Sequence, residues 1–142
     1  FETLIEVFKN KRVVAATTPT YIYPEEENFS DRFFHFMFNS VEYSFNKLGI
    51  GRGRGECQIT RTSIFKKIKG YNEKLTVAED VDLFGRLKNK GEISFLANLQ
   101  VYESPRRFRK KGYLRTLFFY IINFIFMILF KKSFSKEWEQ VR

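Results

Sequence analysis

The sequence predicts an α/β layered domain that leads into an apolar helix with basic flanks. Three observations predict it. Short apolar, β-branched runs alternate with stretches of helical periodicity, the pattern of strands and helices packed in layers. The 142 residues are 44% apolar and 29% charged, with only 8 Gly and 3 Pro. That composition excludes collagen-like, low-complexity and disordered classes, and the length suits one modest domain with a core. Residues 114–130 are almost wholly apolar and stand outside the alternating pattern.

The elements follow in order. Residues 2–10 place Leu4, Ile5 and Phe8 at helical spacing, which predicts an amphipathic helix. Residues 12–17 (RVVAAT) read as a buried strand. Pro19, Pro24 and the run Glu25-Glu26-Glu27 make 18–30 an exposed loop. Residues 31–47 read as a helix covering a sheet. The stretch 49–55, with four glycines, Arg52 and Arg54, reads as a flexible basic loop. Residues 56–60 form a short strand and 63–68 a helix ended by Gly70.

Residues 78–90 carry a full set of helix signals. Glu79, Asp80 and Asp82 crowd the first turn, where the dipole favours anions, and Lys88 and Lys90 sit in the last. Gly91 fits the C′ position. Strands follow at 92–97 and 100–103, and 104–112 reads as a basic turn.

Charge is segregated. Residues 104–142 hold 10 Lys/Arg against 2 Asp/Glu, whereas residues 1–103 hold 15 against 14. The excess of cations therefore sits in the tail and implies an anionic partner. The apolar run from Leu114 to Phe130 reaches about 25 Å as a helix, short of the ~30 Å hydrocarbon thickness. Both of its flanks are positive, whereas a spanning helix usually has a one-sided bias. This favours a helix or short re-entrant hairpin lying in the interface of an anionic leaflet. A tilted span and a helix docked on protein are the alternatives. The tail's aromatics form an apolar run and do not alternate with charge, which argues against nucleic acid as the partner.

Three groups of residues can carry chemistry. Glu79-Asp80 at a helix start can supply a general base, although an acidic pair there also simply caps a helix. Arg106-Arg107 after a strand suits a diphosphate, because each guanidinium fork bonds two oxygens; a solvated surface turn or headgroup contact is the plainer reading. The glycines and arginines of 51–55 suggest phosphate contact but match no nucleotide-loop motif. His35 is the only histidine and Cys57 the only cysteine. Neither has a partner at metal-ligand spacing, so no metal site is legible. The lone cysteine also excludes an intramolecular disulfide framework and fits a reducing compartment.

The order of these pieces resembles a known family. Gly55-Glu56-Cys57, Arg61, Phe65, Ile68, Gly70-Tyr71-Asn72-Glu73, Ala78-Glu79-Asp80-Val81-Asp82-Leu83, Arg86-Leu87 and Gly91 are followed by Ser104-Pro105-Arg106-Arg107-Phe108. This resembles the C-terminal, acceptor-side half of family 2 glycosyltransferases, which have the Rossmann-like GT-A fold. The likeness covers residues 1–112, leaving 113–142 as a membrane-associated helical tail. Lys69 stands where that family usually has Gly, and Asn72 where it has Asp.

The resemblance implies inverting transfer of a sugar from a nucleotide-sugar donor to a saccharide or lipid-linked acceptor. Asp80 would be the general base and Glu79 would help place the acceptor. Arg106 and Arg107 would hold the leaving diphosphate, and Gly55, Cys57 and Gln58 would line the sugar or acceptor pocket. The resemblance also implies Mg²⁺ or Mn²⁺ on an Asp-x-Asp motif of a nucleotide-binding half that this chain lacks. The chain is then expected to be part of a longer enzyme, membrane-associated on the cytoplasmic face and inactive alone. A membrane-binding module without chemistry is the competing reading, and a basic nucleic-acid binder a more distant one.

Overall fold

A computed structural model describes residues 2–137. Phe1 and the end of the tail, 138–142, lie outside the described residues. The chain is mixed α/β with two small sheets, and the apolar C-terminal helix is present. The elements are α1 Glu2–Lys9, β1 Val13–Thr17, β2 Thr20–Ile22, α2 Phe29–Lys47, β3 Ile59–Thr60, α3 Thr62–Lys67, α4 Glu79–Lys88, β4 Glu92–Phe95, β5 Val101–Glu103, α5 Arg106–Lys111 and α6 Tyr113–Phe130.

The strand read from RVVAAT lies at the centre of the first sheet, ordered β3-β1-β4, antiparallel to β3 and parallel to β4. All five residues of β1 are buried, which is why the run is apolar and β-branched rather than alternating. Val14 and Ala15 pack on Leu83, Phe84 and Leu87 of α4, with Ile64, Phe65 and Ile68 closing the same core.

Two expectations from sequence need correction. The segment 18–30 is not all loop, because Thr20–Ile22 forms β2, parallel to β5. Pro19 lacks an N–H and interrupts the ladder, yet its carbonyl accepts from Val101 N–H at 3.2 Å. Asn39 of α2 then bonds both backbone groups of Thr20, supplying pairing that the three-residue strand lacks. The 104–112 segment is not a turn throughout, because Arg106–Lys111 forms α5.

Several residues that shaped the sequence pattern have structural work. Arg61 ties α1 to β1 by donating to the carbonyls of Phe8, Asn10 and Val13. Arg86 donates to the carbonyls of Ile68 and Gly70 at 2.9 and 2.7 Å and to Asp82 at 2.7 Å, capping the end of α3. Lys69 has φ +64°, a left-handed conformation that glycine adopts without cost and a lysine does not.

The apolar helix packs on the domain along one stripe. Tyr113, Leu117 and Tyr120 meet Phe34, Phe38 and Phe108, while Met127 joins Leu75 and Val81, with Phe124 packed against them. Asp31, fully buried at the start of α2, accepts from Tyr113 Oη at 2.6 Å and Arg109 Nη2 at 2.8 Å. The other face of α6 is open: Leu114, Phe118, Ile121, Ile125, Ile128 and Leu129 are all exposed.

Candidate active site

The start of α4 forms one wall of a cavity of about 200 Å³. Ala78 precedes it at φ +64°, a strained conformation for a residue with a Cβ. The turn before it is held from two sides. Leu75 and Val81 pack on Met127, and Ser133 Oγ accepts from the N–H groups of Thr76 and Val77 at 2.9 Å. This fixes where Glu79 and Asp80 enter the cavity.

Burial pushes the Asp80 carboxyl up to about 6, and the neighbouring Glu79 charge adds to this; the Val81 N–H, donating to Oδ1 at 2.7 Å, and Arg52 pull the other way. A carboxylate that titrates there is matched to proton transfer near neutral pH. Asp82 faces elsewhere, bonded to Arg86, so the Asp80-Val81-Asp82 triplet is not a paired ligand set.

The opposite wall is the glycine and arginine segment. It was expected to be flexible, but it is packed on α4. Gly51 has φ +66°, and a Cβ there would lie 2.6 Å from Lys88 Cβ and 2.8 Å from the Phe84 carbonyl oxygen. At Gly53 a Cβ would collide with the Phe84 ring. Glycine is needed here for close approach more than for freedom. Asn46 clamps the segment by accepting from Arg52 N–H at 2.8 Å and donating to the Arg52 carbonyl at 2.7 Å. Arg52 and Arg54 are thereby aimed inward. Arg54 pairs with Glu103 and Glu56. Arg52 lies over the Phe124 ring, 4.7 Å from its centroid.

Glu103, which lines the cavity, leads into a buried polar group of residues. Burial pushes Glu103 and Glu42 up to about 7, with Arg54 opposing in both cases and Thr17 also opposing at Glu42. Burial and the Arg54 charge push His35 down to about 4, leaving a neutral imidazole with Nε2 3.5 Å from Glu103. Thr17 Oγ1 lies 2.8 Å from Glu42 Oε1 and 3.3 Å from the Cys57 carbonyl oxygen. A hydroxyl has one proton to give, and the shorter contact gives it to Glu42 Oε1, the direction in which Thr17 opposes the rise of the Glu42 carboxyl.

The structure brings some of the expected site residues together and separates others. Asp80, Glu79, Gly55 and Arg107 all line the cavity. Cys57 is half-buried and contributes its carbonyl to Thr17. Gln58 accepts from Tyr71 Oη at 2.7 Å, a strut outside the cavity. Arg106 is exposed on the first turn of α5. Consecutive helical residues diverge by about 100°, and of the two only Arg107 lines the cavity.

Sequence reasoning missed Glu42, Glu103, Asn123 and Phe124. The signal for Asn123 was present, as a polar interruption in the middle of the apolar run. No protein-family model, curated protein or solved structure matches the chain. Among the described residues no three His, Cys, Asp or Glu side chains converge as metal ligands. The divalent cation implied by the resemblance belongs to an Asp-x-Asp motif outside this chain, and the residues of this cavity are described without it.

Proposed function

We propose that this chain is the acceptor-side part of an inverting glycosyltransferase of GT-A fold, acting at the cytoplasmic face of a membrane. The observation that supports this reading is the convergence of Asp80 and Arg107 on one cavity roofed by α6. In the reaction, the Asp80 carboxylate takes the proton of an acceptor hydroxyl. The acceptor oxygen attacks the anomeric carbon of a nucleotide sugar. The bond from that carbon to the diphosphate breaks, and the diphosphate leaves with the electron pair. Negative charge develops on the leaving oxygen, where a fixed guanidinium such as Arg107 stabilises it. Glu79, beside Asp80, positions the acceptor and keeps the base weakly acidic.

The membrane assignment draws on α6. Its exposed apolar face lies between Arg106, Lys110, Lys111 and Arg115 on one side and Lys131, Lys132 and Lys136 on the other. Such a face suits the interface of an anionic leaflet, which would hold a saccharide on a lipid carrier within reach.

The test uses the polypeptide that the genomic locus encodes around this chain, assayed in membranes with labelled nucleotide sugars. Label transfer that Asp80→Asn removes supports the reading. Transfer that survives Asp80→Asn overturns Asp80 as the base. Membrane binding without transfer from any nucleotide sugar favours a binding module.

A further inference from the structure

We propose that Arg52 anchors a phosphate-binding site in the cavity, and that the phosphate it takes is carried by a lipid-linked substrate. The assignment to a substrate rests on the glycosyltransferase reading; the site itself rests on the surroundings of Arg52.

Those surroundings leave a cation unmatched. Arg52 Nη1 is buried with no hydrogen-bond partner. Among the described residues, no carboxylate oxygen lies within ion-pairing distance of Arg52, whereas Arg54, two positions on, is paired with Glu103 and Glu56. A buried guanidinium without a counter-ion is costly, so its retention in a cavity points to an anionic ligand. Burial pushes the Arg52 pKa down, while Asp80 and Glu42 attract it from a distance. Neither supplies the missing hydrogen bonds.

The geometry favours a planar, fork-shaped contact. Asn46 holds the Arg52 backbone at both its N–H and its carbonyl. The guanidinium carbon lies over the Phe124 ring, 4.7 Å from its centroid. An aromatic ring accepts no N–H hydrogen bond of carboxylate strength, so the guanidinium N–H groups still call for an oxyanion, and two oxygens of a phosphate match two of them. Lysine could not make this contact.

The source of the phosphate follows from α6. Phe124 lies on the inner side of that helix, while Phe118, Ile121 and Ile125 are exposed on it. A helix is about 10 Å across, so the site lies about one helix diameter from the apolar surface. A lipid whose chain lies along that surface can present its phosphate at this depth.

The experiment measures binding to the full chain in a maltoside detergent, which carries no phosphate. The probes are inorganic pyrophosphate and detergent-dispersed phosphatidic acid, followed by calorimetry. Arg52→Gln is expected to weaken binding by about tenfold to a hundredfold. Arg52→Lys is expected to recover only part of it, and Lys67→Gln, an exposed cation on α3, to change nothing. Arg52→Gln is also expected to raise the unfolding midpoint of the ligand-free protein, since it removes an unmatched buried charge; a cooperative transition shows that the variant is folded. Arg52-dependent binding of phosphatidic acid alone assigns the site to lipid. Arg52-dependent binding of pyrophosphate with equal affinity keeps the phosphate site but overturns the lipid source. Binding of both probes that is unaltered by Arg52→Gln, or no binding of either, overturns the proposal. A site without transfer activity would leave the proposal standing and sink the enzymatic reading instead.

Discussion

The hydroxyl of Ser133 accepts from the Val77 N–H and donates to the Val77 carbonyl, both at 2.9 Å. A residue just beyond the apolar helix thus fixes the backbone three positions before Asp80. Two residues further on, Ser135 N–H donates to Asn123 Oδ1 at 3.0 Å, and Asn123 Nδ2 donates to Ser135 Oγ at 2.9 Å. The chain after α6 therefore folds back along the helix and couples it to the start of α4.

Ser133→Ala removes the acceptor of two backbone N–H groups. The expected cost is about 1 kcal/mol, confined to the turn. Hydrogen exchange at Thr76 and Val77 should quicken by about fivefold, while the amides of β1 keep their protection. Unchanged exchange at Val77 would show that Ser133 does not hold the turn.

The Asp80 carboxyl, pushed up to about 6 by burial and then by Glu79, sets a pH profile. A base works deprotonated. In the proposed transfer reaction, kcat/KM should fall by about tenfold per pH unit below the midpoint and level off above it. Glu79→Gln removes a neighbouring negative charge and should shift the midpoint down. A profile flat from pH 5 to 8 would remove Asp80 from the role of base.

Glu42 makes a stability prediction of definite sign. Its carboxyl is raised from 4.5 to about 7 when folded, so the folded state binds the proton more tightly than the unfolded one. The contribution of Glu42 is fully present below pH 4.5 and is lost as pH rises through 7. Glu42→Gln cannot ionise. It should match wild type near pH 4 and exceed it by about 3 kcal/mol at pH 8. Denaturant titrations across that range provide the check, and a difference that does not grow with pH would be the contrary result.

Membrane topology is testable apart from catalysis. Because the 131–136 segment returns to Asn123 and Val77, both flanks of α6 should lie on one side of a bilayer. Cysteines placed at Lys110 and Lys136, in a Cys57→Ser background, should both react with an impermeant thiol reagent from that side. A span would place them on opposite sides. Phe118→Asp with Ile125→Asp should weaken vesicle binding by about two orders of magnitude or more, with the fold unchanged because both positions are exposed.

The legible parts of the molecule are those set by near neighbours. The acidic first turn of α4 and its basic end marked that helix from sequence alone. The helix-breaking context of Pro19 and Pro24 was equally local, but it misled: β2 exists because Val101–Glu103 and Asn39 pair with it, and those partners are far away in sequence. The glycines of 49–55 were read as freedom, whereas Phe84 and Lys88 make them a requirement for contact.

By itself the sequence determined the α/β character, the strand at 13–17, the helix that presents Asp80, the extent of the apolar helix and the crowding of cations around it. These depend on patterns within a few residues, where side-chain periodicity and helix-end charge act. The tertiary structure alone decided that Arg52 and Arg54 turn inward, that Arg106 and Arg107 part company, and that α6 roofs the cavity. Burial and pairing of that kind arise from contacts such as Thr17 with Glu42 and Asp31 with Tyr113, 25 and 82 residues apart, and no local pattern encodes which distant surface a side chain will meet.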